Sequence, residues 1–77
     1  MKREGTLKAR KQLGEAIREY RKARGWSQEK LAEQADVHHN FIGYVERAER
    51  NLTIGSLLNI ANALKISLAE LFKTAGI

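Results

Sequence analysis

The chain has 77 residues, no cysteine and no proline, and carries a formal net charge of +5. A chain this short makes one domain with a small core, and the missing thiols exclude a disulfide framework or a cysteine-ligated metal as its support. No apolar run is long enough to cross a membrane, and the first twenty residues are too charged for a secretion signal, so a cytoplasmic protein with no membrane partner is expected.

The charge is unevenly placed. Residues 1–25 hold nine Lys or Arg against three Glu, whereas residues 26–77 hold five against six acidic side chains. Such asymmetry suits the backbone of a nucleic acid or an anionic surface. No stretch alternates apolar and polar residues over the length of a strand, and the chain reads as all-α throughout one domain, 1–77.

Residues 1–6 read as a loose basic arm, with Thr6 as N-cap of a first helix that runs to about Arg24 and is closed by Gly25. Leu13, Ala16, Ile17 and Tyr20 share one face of it. Ser27 is placed to cap a second helix, Gln28 to Ala35, with Trp26 as a staple onto Leu31 and with Leu31, Ala32 and Ala35 buried. A third helix spans His38 to Arg47 and buries Ile42 and Val45. Thr53 caps a fourth, Ile54 to Leu64, burying Leu57, Ile60, Ala61 and Leu64, and Ser67 with Glu70 forms the capping box of a fifth, Leu68 to Lys73.

Two short helices joined by a tight turn over residues 27–47, in a basic all-α domain, are the ingredients of a helix-turn-helix. The run Ser27-Gln28-Glu29-Lys30-Leu31-Ala32-Glu33-Gln34-Ala35 is followed by Phe41-Ile42-Gly43-Tyr44-Val45-Glu46-Arg47 and by Arg50-Asn51-Leu52-Thr53-Ile54. Leu13-Gly14-Glu15-Ala16-Ile17-Arg18 stands upstream and Ile66-Ser67-Leu68-Ala69-Glu70-Leu71-Phe72 downstream. Over residues 13–72 the chain resembles the Xre family of Cro- and phage-repressor-like regulators. The Arg50 to Ile54 stretch and the single domain also look like the controller proteins of restriction-modification systems.

The resemblance implies a compact five-helix, lambda-repressor-like fold and a transcriptional repressor or activator that binds a duplex DNA operator as a homodimer. The third helix would enter the major groove, where each base pair shows a distinct pattern of donors and acceptors. His39, Asn40, Gly43, Tyr44 and Arg47 would read bases, with a phosphate as the alternative contact for Tyr44 and Arg47 and no contact at all as the alternative for Gly43. Glycine at 43 departs from the polar residue common in the family. Gln28, at a helix N-terminus, would hold a phosphate. Arg50 and Asn51 would lie along the backbone, and Phe41 is semi-buried packing that borders the sugar-phosphate chain. His38 reads as a helix-start residue, and it and His39 are expected to face different ways, which disfavours a metal site. Arg21 and Glu46 match a pair that links the first helix to the end of the reading helix. Glu29, Glu33 and Asp36 form an acidic edge that is either solvated or, as in related regulators, able to touch RNA polymerase.

The C-terminal third holds more apolar side chains than a core can use, so Leu58, Ile66, Leu68, Leu71 and Phe72 are candidates for a two-fold dimer interface. An antitoxin-type module that chiefly clasps a protein partner would share the fold and is the alternative. An enzyme is not expected, because the two histidines adjoin and 77 residues leave little room for a closed pocket. Nor is any cofactor, metal or small-molecule ligand.

Overall fold

The computed structural model describes residues 3–77, and over them the backbone forms five helices and no strand. They are α1 (Arg3–Ala23), α2 (Gln28–Ala35), α3 (Phe41–Glu46), α4 (Ile54–Leu64) and α5 (Leu68–Ala75). Helix α1 packs on α3 and α5, α2 packs on α3 and α4, and α5 closes on α4. Ile17, Leu31, Ile42, Val45, Ile60, Leu64 and Leu71, drawn from all five helices, meet in one core with essentially no exposure.

Local chemistry explains where three helices start. Ser27 accepts from the Lys30 amide, Thr53 from the Ser56 amide and Ser67 from the Glu70 amide, each at 3.0 Å, and the Glu70 carboxylate returns a bond to the Ser67 amide at 3.4 Å. Each satisfies backbone donors that have no partner within the helix.

All five helices end alike. The residue after the last turn takes a left-handed backbone at Gly25, Asp36, Ala48, Lys65 and Gly76, with φ between 56° and 80°. The next amide, that of Trp26, Val37, Glu49, Ile66 or Ile77, then reaches back five residues to a carbonyl at 2.8–3.2 Å. This is the double-bonded Schellman closure, and it turns Trp26, Val37 and Ile66 back onto the core. Only two of the five positions are glycine, so the sequence announced Gly25 and left Asp36, Ala48 and Lys65 unmarked.

Three helices differ in their bounds from the sequence reading, and of these α5 simply runs on past Lys73 to Ala75 before Gly76 closes it. Helix α1 already includes Arg3 to Thr6, so Thr6 is not its N-cap and the loose arm is corrected over those residues; Met1 and Lys2 lie outside the described residues. A single Gly5 costs a helix only ~1 kcal/mol, too little to stop it where good helix formers follow. Helix α3 is shorter than His38 to Arg47, because His38 and Asn40 sit in a turn whose Phe41 amide bonds the His38 carbonyl at 2.9 Å, and the left-handed Ala48 closes the other end.

Candidate nucleic-acid interface

Helix α3 has two faces of opposite character. Ile42 and Val45 are fully inside, while Asn40, Tyr44 and Arg47 look outward across from the N-terminus of α2. Between them lies an open cleft of ≈ 590 Å³ lined by Ser27, Gln28, Glu29, His39, Asn40, Gly43, Tyr44 and Arg47. A second cleft of ≈ 340 Å³, lined by His38, Asn40, Phe41, Tyr44 and Arg50, adjoins it. Tyr44 borders both.

The cations here are held over an aromatic surface. The guanidinium of Arg47 stands 5.4 Å from the Tyr44 ring centroid and that of Arg50 5.1 Å, a geometry in which the ring quadrupole attracts positive charge. Glu49 also accepts from Arg47 Nε at 3.1 Å. Sequence reasoning gave Glu49 no role, and its spacing from Arg47 was the available signal. Asn51 is exposed beside Arg50, and Phe41 is half-buried against the core.

Beneath this surface an ion pair sets the height of α3. Arg21 Nε donates to Glu46 Oε2 at 2.6 Å and Nη2 to Oε1 at 3.1 Å, and both side chains are nearly buried, 11% and 4% exposed. The same guanidinium donates to the Trp26 carbonyl at 2.8 Å, and Gln28 Nε2 donates to Glu46 Oε1 at 3.0 Å. One carboxylate thus ties α1, the start of α2 and the end of α3 together by charge-assisted bonds. Gln28 faces the cleft with its amide already anchored from below.

A second device brings α1 close. A Cβ at Gly14 would fall 2.6 Å from the Val45 carbonyl oxygen and 2.9 Å from that of Glu46, so α1 presses on the backbone of α3 itself. Gly14 stood in the motif that carried the family resemblance, but its packing role was not read. Arg10, from the same face of α1, donates to the Ala48 carbonyl at 3.4 Å, where the chain leaves α3.

Three expectations need correction. Gly43 is buried and not a presented reader: a Cβ there would meet Arg47 Nη1 at 3.1 Å and Gln28 Oε1 at 3.2 Å, so both side chains cover it. Leu71 is fully buried in the monomer core, because the inner face of α5 points it between α1 and α4, and it is withdrawn from the dimer candidates. His38 and His39 do not diverge. They sit in a turn ahead of the helix, and their rings stack at 4.3 Å between centroids and 29° between planes. No group of three or more metal-ligating side chains occurs among the described residues.

Of the other interface candidates, Leu58 is 43% exposed on α4, whereas Ile66, Leu68 and Phe72 are half-buried against the core. Ile54, one turn before Leu58, is 64% exposed and was missed, because it was counted only as a helix start. Glu29, Glu33 and Asp36 are all exposed, with Lys30 bonded to Glu33 at 3.4 Å. No helix of the described residues is long and apolar enough to cross a membrane.

Comparison with known proteins places this geometry. A family model described as helix-turn-helix matches residues 17–71. The control protein C.SmaI of Serratia marcescens is 43% identical over 65 residues, 84% of this chain and 77% of that one. The control protein C.BamHI of Bacillus amyloliquefaciens is 34% identical over 67 residues, 83% of each chain. Among solved structures, the restriction-modification controller protein C.AhdI of Aeromonas hydrophila superposes with a TM-score of 0.79 at 40% identity, over 82% of this chain and 96% of that one.

Proposed function

The chain belongs to the helix-turn-helix family, and from that premise we propose that it is a cytoplasmic, sequence-specific regulator of transcription that binds duplex DNA as a homodimer, in the manner of a restriction-modification controller. The observation that carries the reading is the cleft between α2 and α3. It presents the imidazole of His39 and the amide of Asn40 from the turn that opens α3, the phenol of Tyr44 from its outer face and the guanidinium of Arg47 from its C-cap, while the inner face of α3 is locked in the core.

The roles follow from placement. Asn40, His39, Tyr44 and Arg47 offer donors and acceptors to base edges in the major groove, where a good bidentate contact is worth ~1–3 kcal/mol of discrimination. Gln28, Arg50 and Asn51 flank α3 and grip phosphates, with Phe41 against the sugars; these contacts fix register and carry no sequence information. A six-residue reading helix covers few base pairs, so two half-sites about one turn (~34 Å) apart are required.

The exposed apolar pair Ile54 and Leu58, one turn apart on α4, supplies the self-complementary patch, and the half-buried Ile66, Leu68 and Phe72 are the further candidates for it. The relatives named as control proteins favour a controller over an antitoxin-type module. The exposed edge of Glu29 and Glu33 is open to RNA polymerase.

Selection from a randomised duplex pool, followed by titration of the enriched sequence in a salt series, tests the function. The expected result is a two-fold symmetric consensus and an affinity that falls with salt at a slope of about −0.9 per neutralised phosphate. A pool without enrichment, or an affinity indifferent to salt, would refute it. Sedimentation at micromolar concentration reads the dimer, which Leu58→Glu should dissociate.

A further inference from the structure

The turn that opens α3 contains a side-chain bond with no part in the contacts assigned so far. His38 Nδ1 accepts from the backbone N–H of Asn40 at 3.2 Å, while the His38 carbonyl accepts from the Phe41 amide. Asn40 occupies the N-cap position yet makes no side-chain capping bond of its own. The imidazole of His38 is therefore the side-chain cap of the reading helix. A ring nitrogen that accepts a hydrogen bond offers its lone pair, so Nδ1 is the acceptor in this contact. Stacking on His39 holds its plane.

We propose that His38 is a positioning residue for base recognition: its imidazole Nδ1 holds the Asn40 backbone, and with it the direction in which Asn40 offers its side-chain amide to a base. The proposal rests on the reading of α3 as the base-reading helix. His39 is stacked on the ring, and Tyr44 and Arg50 line the same cleft. Removing the Nδ1 acceptor leaves the Asn40 N–H without its side-chain partner, so the preference for the base pair under Asn40 should weaken while phosphate-held binding to any duplex is kept.

The quantity to measure is the ratio of affinities for the operator and for the same duplex with that one base pair changed. His38→Ala should lower this ratio about three- to tenfold, the effect of one capping bond. His38→Asn keeps an acceptor that reaches the amide two residues on, so its ratio should stay as high as that of the wild type. Nitrogen-resolved NMR of the free protein should find the Asn40 N–H bonded to His38 Nδ1, and that bond absent in His38→Ala. A His38→Ala ratio equal to that of the wild type, a His38→Asn ratio as low as that of His38→Ala, or a proton resident on Nδ1 overturns the proposal while leaving operator binding intact. A wild type that prefers no duplex would sink the DNA-reading function itself, and the NMR result would then show separately whether the cap exists.

Discussion

Replacing Gly14 by alanine should destabilise the protein, although glycine to alanine inside a helix normally stabilises. The intrinsic gain in helix propensity is about 1 kcal/mol. Against it, the new Cβ would lie 2.6 Å from the Val45 oxygen, 2.9 Å from the Glu46 oxygen and 3.1 Å from the Glu46 Cα, where ordinary contact begins near 3.4 Å. All three are backbone atoms, so no side chain can swing aside. Helix α1 or α3 must retreat by most of an ångström, and overpacking of this kind costs typically 1–3 kcal/mol, with more to follow if the buried Arg21–Glu46 pair is stretched. With three backbone atoms met at once the cost falls in the upper half of that range, about 2–3 kcal/mol, so the net expectation is a loss of about 1–2 kcal/mol, or a melting temperature lower by roughly 5–15 °C for a domain of this size. Gly55→Ala supplies the control. Its Cβ would meet only Thr53 Oγ1 at 3.8 Å, and that variant should melt higher. Thermal unfolding followed by far-ultraviolet circular dichroism measures both. A Gly14→Ala protein as stable as the wild type would refute the close approach of α1 to α3.

Glu46→Gln should lower stability by about 3–5 kcal/mol in urea denaturation, because it strips the nearly buried Arg21 guanidinium of its charge partner, and Arg21→Met with Glu46→Leu should cost less than either single change. Gly43→Ala should fold and melt like the wild type, since Arg47 Nη1 and Gln28 Oε1 are the ends of flexible side chains; operator affinity should nonetheless drop by roughly tenfold in fluorescence anisotropy as Arg47 loses its seat, the size of one good base contact. Lys65→Gly should raise stability by about 0.5–1 kcal/mol at an exposed left-handed position, where relief of ~1–2 kcal/mol of backbone strain exceeds the entropic penalty of glycine. Its urea midpoint, with an unchanged slope, is the readout.

What could be read from the chain and what could not divide by the range of the interaction. Ser27, Thr53 and the Ser67–Glu70 box fixed the starts of α2, α4 and α5, because a capping bond spans three residues and is written in the local order. The buried stripes of α2 and α4 were equally legible from helical spacing, and all seven of their predicted members are buried. The tie between Arg21 and Glu46 was named through family resemblance, since nothing local relates residues 25 apart. Only the packed molecule decided that Gly43 lies covered, that Gly14 touches a neighbouring backbone and that Ala48 takes the left-handed turn which ends α3. It also separated Leu71, which fills the core, from Ile54 and Leu58, which remain outside. Apolar residues in short helices look alike to a periodicity argument. Which of them meets another helix and which meets solvent is set by the docking of α1, α4 and α5, whose contacts join residues far apart in the chain.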